Sequence, residues 1–413
     1  MATWPVKRMD ELCEITSSKR IFAADYVSEG VPFYRGREIT EKYKGNLDVS
    51  TELFITEEKF GEIERKFGAP KAGDLLLTSV GTLGSVYVVK PSDRFYFKDG
   101  NLTWFRNFQE LDSRFLYYWL GSPKGKAELQ KATIGSSQSA FTIVLLKGME
   151  LELPSLPVQR RIAGILSAYD ELMENSQRRI RLLEAMARAL YREWFVHFRF
   201  PGHEKIPRVA SSLGEIPKGW EVKYAPDCIH INPRVTVPRD GEKPFVPMGC
   251  LSNDSMLISN IESRAGNSGA KFQNGDTLFA RITPCLENGK TGFVQFLPDA
   301  QAVGFGSTEF IVLRSRALTP EFVYLLARSD EFRGVAIKSM SGATGRQRVQ
   351  EQCFDDFQIV QPPRALLDRF SAVVAPSFRL IFKLHLQIQN LRRTRDLLLP
   401  RLLSGQVELS VEN

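Results

Sequence analysis

Apolar side chains along residues 157–198, PVQRRIAGILSAYDELMENSQRRIRLLEAMARALYREWFVHF, recur at Ile162, Ile165, Tyr169 and Leu172 and then at Ile180, Leu183, Ala187, Leu190 and Trp194. This is the alternating three-four spacing of a coiled-coil seam. Proline occurs only at the first position, where a missing N–H costs nothing, and no glycine follows Gly164. The pattern predicts one long helix, roughly 60 Å if unbroken. Between Leu172 and Ile180 the seam passes through Ser176 and slips by one position, a stutter that local unwinding absorbs. Such a stripe needs a partner, and residues 364–405 supply it with Phe370, Val374, Phe378, Ile381, Leu384, Ile388, Leu391 and Leu398 at the same spacing. Pro376 and Pro400 stand inside this second pattern, predicting a kink or late start at the first and a helix end near the second.

Two matching helices about two hundred residues apart imply an internal duplication, and the segments before them correspond as well. TWPVKRMDELCEI (Thr3 to Ile15) is echoed by GWEVKYAPDCIHI (Gly219 to Ile231), and PFYRGREI by PFVPMGCL. In KAGDLLLTSVGTLGSVYVV and QNGDTLFARITPCLENGKTGFVQF, Gly-Asp opens a turn, a strand follows, a polar loop interrupts and a second strand leaves. LDSRFLYYWL and LTPEFVYLLA both read as helices; a polar loop, TIGSSQSAFT or MSGATGRQRV, then runs into a strand and a proline-marked exit. The spacing from Gln138 to Pro154 equals that from Gln347 to Pro363, which aligns the two glutamines. The chain thus divides into a domain over 1–156, a helix over 157–199, a linker (201–220, rich in Pro, Gly and Ser) and second domain within 200–363, a helix over 364–405 and a tail, 406–413.

Charge changes this picture only when it is located. The net charge is +7 over 413 residues, yet residues 1–156 carry 21 basic and 21 acidic side chains and residues 199–363 carry 19 and 18. The first long helix has 7 and 5, whereas residues 364–405 have 8 basic against 2 acidic. Any nucleic-acid surface on the two domains must therefore come from charge segregated onto one face. The five cysteines, Cys13, Cys228, Cys250, Cys285 and Cys353, are scattered with no C-x-x-C pair, so they read as free thiols and not as a zinc site. No apolar run reaches membrane-spanning length and the first twenty residues are too charged for a signal peptide, which predicts a cytoplasmic protein.

Catalytic motifs fail one by one. In ENGKT (Glu287 to Thr291) the first glycine of a phosphate loop is replaced by Pro284, and the strand-like FVQF follows where a helix belongs. The four histidines, His197, His203, His230 and His385, have no ligand-like spacing. No glycine-rich cofactor fingerprint follows a strand, so the chain is expected to perform no covalent chemistry and to bind no cofactor or metal itself. The polar loops are the more informative feature, because glutamine suits the adenine edge, arginine and lysine the guanine edge, and serine or threonine phosphates and bases. Thr78, Ser79, Thr82, Ser85, Ser136, Ser137 and Gln138 offer these groups in the first domain; Arg281, Thr283, Asn288, Lys290, Arg346, Gln347 and Arg348 do so in the second.

On GDLLLTSVGTLG, GDTLFARITPCLENGKTG, the segment LPSLPVQRRIAGILSAYDELMENSQRRIRLLEAMARALYREWF and the C-terminal RDLLLPRLLSGQVEL, the chain resembles the DNA-specificity subunit of type I restriction-modification systems. The resemblance spans essentially the whole chain. It implies a mixed α+β protein with pseudo-twofold character, in which two duplicated target-recognition domains are separated by two antiparallel coiled-coil helices and each reads half of a split double-stranded DNA site. The resemblance further implies docking to two methyltransferase subunits, which bind S-adenosylmethionine, and to two restriction subunits, with ATP and Mg2+ used on those partners. Helix pairing would rest on Ile165, Tyr169, Leu172, Leu183 and Leu190 against Phe378, Ile381, Leu384, Ile388 and Leu391. Two alternatives of other classes are a specificity chain from a different kind of restriction system and a coiled-coil scaffold without a nucleic-acid role.

Overall fold

The computed structural model describes residues 4–46, 49–135, 139–343, 345–407 and 409. It falls into two compact units, Met1–Glu174 with Gln389–Asn413, and Asn175–Ile388, so each unit holds one globular domain and part of each long helix.

In the first unit the strands Glu14–Thr16, Leu102–Arg106, Leu75–Thr78 and Val86–Val88 form an antiparallel sheet in that spatial order. The unbroken apolar run Leu75, Leu76, Leu77 is explained by burial on both faces, since successive strand residues point to opposite sides. Leu75, Leu77 and Phe105 enter one core with Phe115, Leu116 and Trp119 of the helix Ser113–Gly121. Leu76 and Trp104 enter another with Tyr34, Ile39 and Phe97. A second sheet orders Tyr26–Val27, Phe54–Ile55, Val31–Tyr34 and Tyr96–Phe97, the last two parallel. Val6–Arg8 pairs antiparallel with Glu150–Glu152, and this ribbon delivers the chain to the first long helix.

The second unit repeats this plan. Ile229–Ile231, Phe310–Ser315, Thr277–Ala280 and Thr291–Phe293 form the equivalent antiparallel sheet; Lys243–Val246 and Gly304–Gly306 supply the parallel pair of the second sheet, and Glu221–Tyr224 pairs with Gln358–Gln361. The shared Gly-Asp has the same job in both. Gly73 and Gly275 adopt φ of 91° and 89°, a conformation glycine takes without strain. The following aspartates each accept a backbone N–H three residues upstream, Lys71 at 2.9 Å and Gln273 at 2.7 Å. The duplication expected from the sequence is therefore present in topology and in turn chemistry. Within residues 201–220 the chain is more ordered than a plain linker: Arg208–Ser211 and Gly214–Pro217 form a hairpin, and Phe200 packs on Trp220 at 5.3 Å between rings.

The long helices run Leu156–Tyr191, continued by a short π-helical stretch Arg192–Val196, and Arg364–Leu403. In the first unit Ile162, Ala163 and Leu166 share a core with Leu402 and Leu403, so the start of one helix meets the end of the other. In the second, Trp194 and Phe195 pack on Phe370 at 5.8 and 4.8 Å. Both observations give antiparallel helices. Three expectations change. The buried stripe passes through Leu166, Tyr169, Met173, Ser176, Ile180, Leu183, Ala187, Leu190 and Trp194, an even four-three alternation with no stutter. Leu172 is 49% exposed and Met173, beside it, takes the buried place; Ile165 is only half-buried. The second helix also continues through Pro376 without a late start. Proline removes the hydrogen bond to the carbonyl four residues earlier, and both Pro376 and Ala372 are exposed, so water can serve that carbonyl. Tyr169, Leu183, Leu190 and Leu391 are half-buried, and Phe378, Ile381, Leu384 and Ile388 are buried as expected.

Polar clamps tie the domains to the helices. Gln159 is fully buried; its amide donates to the Glu110 and Pro154 carbonyls at 2.8 Å and accepts from Asp112 N at 2.8 Å. Asp170 accepts from Tyr118 Oη at 2.6 Å and pairs with Arg395. In the second unit Glu184 accepts from Met256 N at 2.8 Å and Ser255 Oγ at 2.7 Å, and burial pushes its carboxyl above the usual range against those bonds.

Candidate functional site

Each domain carries its polar loop at the end of a central strand, between Leu75–Thr78 and Val86–Val88 in the first and between Thr277–Ala280 and Thr291–Phe293 in the second. In the first loop the side chains divide. Thr78, Ser79 and Ser85 are buried, and they build the loop rather than face a ligand. Ser85 N donates to Thr78 Oγ1 at 2.9 Å, and the Ser79 and Thr103 hydroxyls lie 2.7 Å apart. A buried hydroxyl satisfied in this way is not available to a partner without breaking its bond. Thr82 is exposed at the tip. Ser136, Ser137 and Gln138 lie outside the described residues.

The second loop is richer in charge and more tightly laced. Thr283 N donates to the Gln347 carbonyl and Gln347 N to Thr283 Oγ1, each at 3.1 Å, which joins the loop to the 341–349 segment. Arg281 donates through Nη2 to the Val349 carbonyl at 2.7 Å, and Lys290 through Nζ to the Met248 carbonyl at 3.1 Å. Arg348 forms a forked pair with Glu309, Nη2 to Oε1 at 2.6 Å, and holds that carboxyl below the usual range. Among these residues Arg346, Arg348 and Asn288 are exposed, and among the described residues Arg346 makes no ion pair. Thr291–Phe293 follows Lys290 as a strand, as the rejection of a phosphate loop required.

The two loops occupy equivalent places, with a one-residue difference from the sequence alignment. Phe141 N donates to the Ser79 carbonyl and Val349 N to the Arg281 carbonyl, and Val80 bridges Ala140 as Ile282 bridges Arg348. This register gives Gln347 the place that Ser139 holds in the first domain. Arg234 and Lys271 escaped the motif reading; they line a cleft with Arg281 in the second domain. Among the described residues no group of three or more His, Cys, Asp or Glu is placed to hold a metal, and all five cysteines are free thiols, three of them buried. No helix among them is long and apolar enough to cross a membrane.

Comparison with known proteins agrees with this architecture. Residues 1–185 match the family described as the type I restriction modification DNA specificity domain. The specificity subunit of the type I restriction enzyme MjaIX from Methanocaldococcus jannaschii is 26% identical over 98% of this chain and 94% of that protein. The EcoEI specificity subunit of Escherichia coli is 32% identical over 36% of this chain and 26% of its own length. In structure, the S subunit of a type I restriction-modification system from M. genitalium superposes with a TM-score of 0.60 at 14% identity, covering 98% of this chain and 97% of that one. Together with the duplicated domains and antiparallel helices, these matches make the chain similar to the specificity subunits of type I restriction-modification systems, by the family model over its first 185 residues and by the MjaIX subunit over 98% of its length.

Proposed function

We propose that the chain reads a split double-stranded DNA site, one half through each globular domain, and brings methyltransferase and restriction subunits to it. The observation that carries this reading is the pair of unlike loops on like frameworks. One hairpin presents Thr82 between glycines, the other Glu287 and Asn288 over a base laced by Arg281 and Lys290, at matching strand ends. Repeating the scaffold while changing the loop chemistry suits two different half-sites, because base edges are told apart by the donors and acceptors set against them. Two tethered readers also gain affinity through effective concentration.

As a specificity subunit the chain works within a multisubunit complex. We assign two methyltransferase and two restriction subunits as its partners, with S-adenosylmethionine, ATP and Mg2+ bound there, in the cytoplasm. Sequencing the methylated positions in a genome that carries the system tests the proposal. A motif in two separated parts is expected; a single contiguous motif, or no dependence of methylation on this chain, would overturn it.

A further inference from the structure

Most cations of the second domain are already engaged within it. Arg314 pairs with Asp276 and Arg348 with Glu309; Lys223 and Arg264 pair with neighbouring glutamates. Arg316, Arg328 and Arg333, together with Lys243 and Lys290, donate to backbone carbonyls. This is why the domain's near-neutral charge reveals nothing about its surface. Against that background one cleft stands out. Its walls are Asn232–Val235 and Gly269–Lys271, its floor includes Phe310 and Val312, and Arg281 and Thr308 close it. Its lining brings together Arg234, Lys271 and Arg281; the nearby carboxylates are already engaged, Glu351 accepting from Asn232 and Glu309 pairing with Arg348 while also feeling the Arg281 charge. Arg234 is exposed, and among the described residues neither it nor Lys271 forms an ion pair or side-chain hydrogen bond. Arg281 is half-buried and spends Nη2 on the Val349 carbonyl, while its Nε lies buried with no partner.

We propose that this cleft takes the sugar-phosphate backbone of the DNA beside the second half-site, with Arg234 and Lys271 on phosphates and Arg281 holding the junction to the reading loop. The inference rests on the DNA-reading function proposed above. Three cations gathered in one cleft, with Arg234 and Lys271 paired to no carboxylate among the described residues, form a site for a polyanion, since phosphate contacts with lysine and arginine release condensed counterions and need no fixed geometry. The cleft is continuous with the loop in question: Arg281 lines it, and the Arg281 carbonyl accepts from Val349 N, next to Arg348 and Gln347. Backbone contacts of this kind set register and orientation, while base edges are read from the adjoining loop. Gly269 fits the same picture. A Cβ there would meet the Gly306 carbonyl oxygen at 1.8 Å, so the wall depends on a close backbone approach only glycine permits.

The test uses the complex reconstituted with its methyltransferase subunits and the double variant Arg234→Ala, Lys271→Ala. Both positions are surface-accessible, and thermal unfolding of the variant confirms folding. DNA affinity is measured against salt concentration for the cognate site and for unrelated DNA. The expected result is a salt-dependence slope about 1.8 smaller, roughly 0.9 for each phosphate no longer neutralised, on both DNAs, with the methylated sequence unchanged. The swap Arg234→Lys, Lys271→Arg should retain the parental slope. Unaltered affinity and slope in the alanine variant would overturn the assignment, as would a relaxed half-site sequence with the slope intact. Failure of the parental complex to bind DNA is a separate outcome that overturns the functional proposal and this one with it.

Discussion

Replacing Gln159 should loosen the first unit more than any loop substitution would. Gln159 is the fourth residue of the first long helix and is fully buried, and the fourth residue of the second long helix, Leu367, is fully buried too. The duplicated scaffold thus tolerates an apolar side chain there, and the amide in the first repeat serves local needs. Its three hydrogen bonds satisfy the Glu110 and Pro154 carbonyls and Asp112 N. Gln159→Leu preserves volume but strands those groups. A buried group left without its partner costs about 1–3 kcal/mol, and Asp112 is half-buried, so part of the loss is recovered by water. We expect a total of about 3–5 kcal/mol, which for a unit of this size lowers its Tm by about 10 °C. Differential scanning calorimetry of the co-purified complex measures this, with Ser167→Ala, whose hydroxyl among the described residues bonds only to the Gly164 carbonyl of its own helix, as a control expected within about 0.5 kcal/mol of the parent. A Gln159→Leu shift no larger than the control's would refute the clamp.

Three further outcomes follow from the same geometry. Glu184 has a raised pKa in the folded state because burial disfavours its charge, so its stabilising contribution is fullest below the unfolded carboxylate range and is lost as pH rises through the folded value; Glu184→Gln, which can still accept from Met256 N, should therefore match or exceed the parent's Tm at pH 8, and the difference should shrink toward pH 4.5. Gly269→Ala should cost about 3 kcal/mol or more in urea unfolding, since its Cβ would collide with the Gly306 carbonyl, whereas Gly61→Ala, inside the helix Glu57–Phe67 with open space around it, should gain about 0.5–1 kcal/mol. Inserting one heptad near Ser176 and one in the facing stretch of the second helix preserves the even seam, adds about 10 Å and should lengthen the unread gap of the methylated site by about three base pairs, whereas a single inserted residue turns everything beyond it by about 100° and should abolish assembly.

The helices were legible because their period is imposed by burial over many turns, and local irregularities average out. Their register was less so: Leu172 and Met173 are adjacent and equally apolar, and only the packed structure shows which of them is covered. Choosing Leu172 created the stutter. The duplication was legible through Gly-Asp, whose turn chemistry is strict. The loop residues were not, because Thr78, Ser79 and Ser85 read as available hydroxyls until the hairpin bonds are seen. Equal distances to a proline likewise concealed a one-residue offset, which the Phe141 and Val349 hydrogen bonds resolve. Gln159 gave no signal, since Arg160 and Arg161 follow it and make it one of three polar residues in a row, and Arg234 and Lys271 gave none, since local charge says nothing about which cations are paired.

That each domain reads its own half of the site is tested most directly by mapping methylated positions for two variants of the reconstituted system. One carries Arg346→Ala with Gln347→Ala in the second domain, the other Thr82→Ala in the first. The account predicts that the first variant relaxes one half of the motif, by about 1–3 kcal/mol for each base edge no longer read, and leaves the other half unchanged, while any relaxation in the second variant falls on the opposite half. Relaxation of both halves by either variant, or of the same half by both, would contradict it.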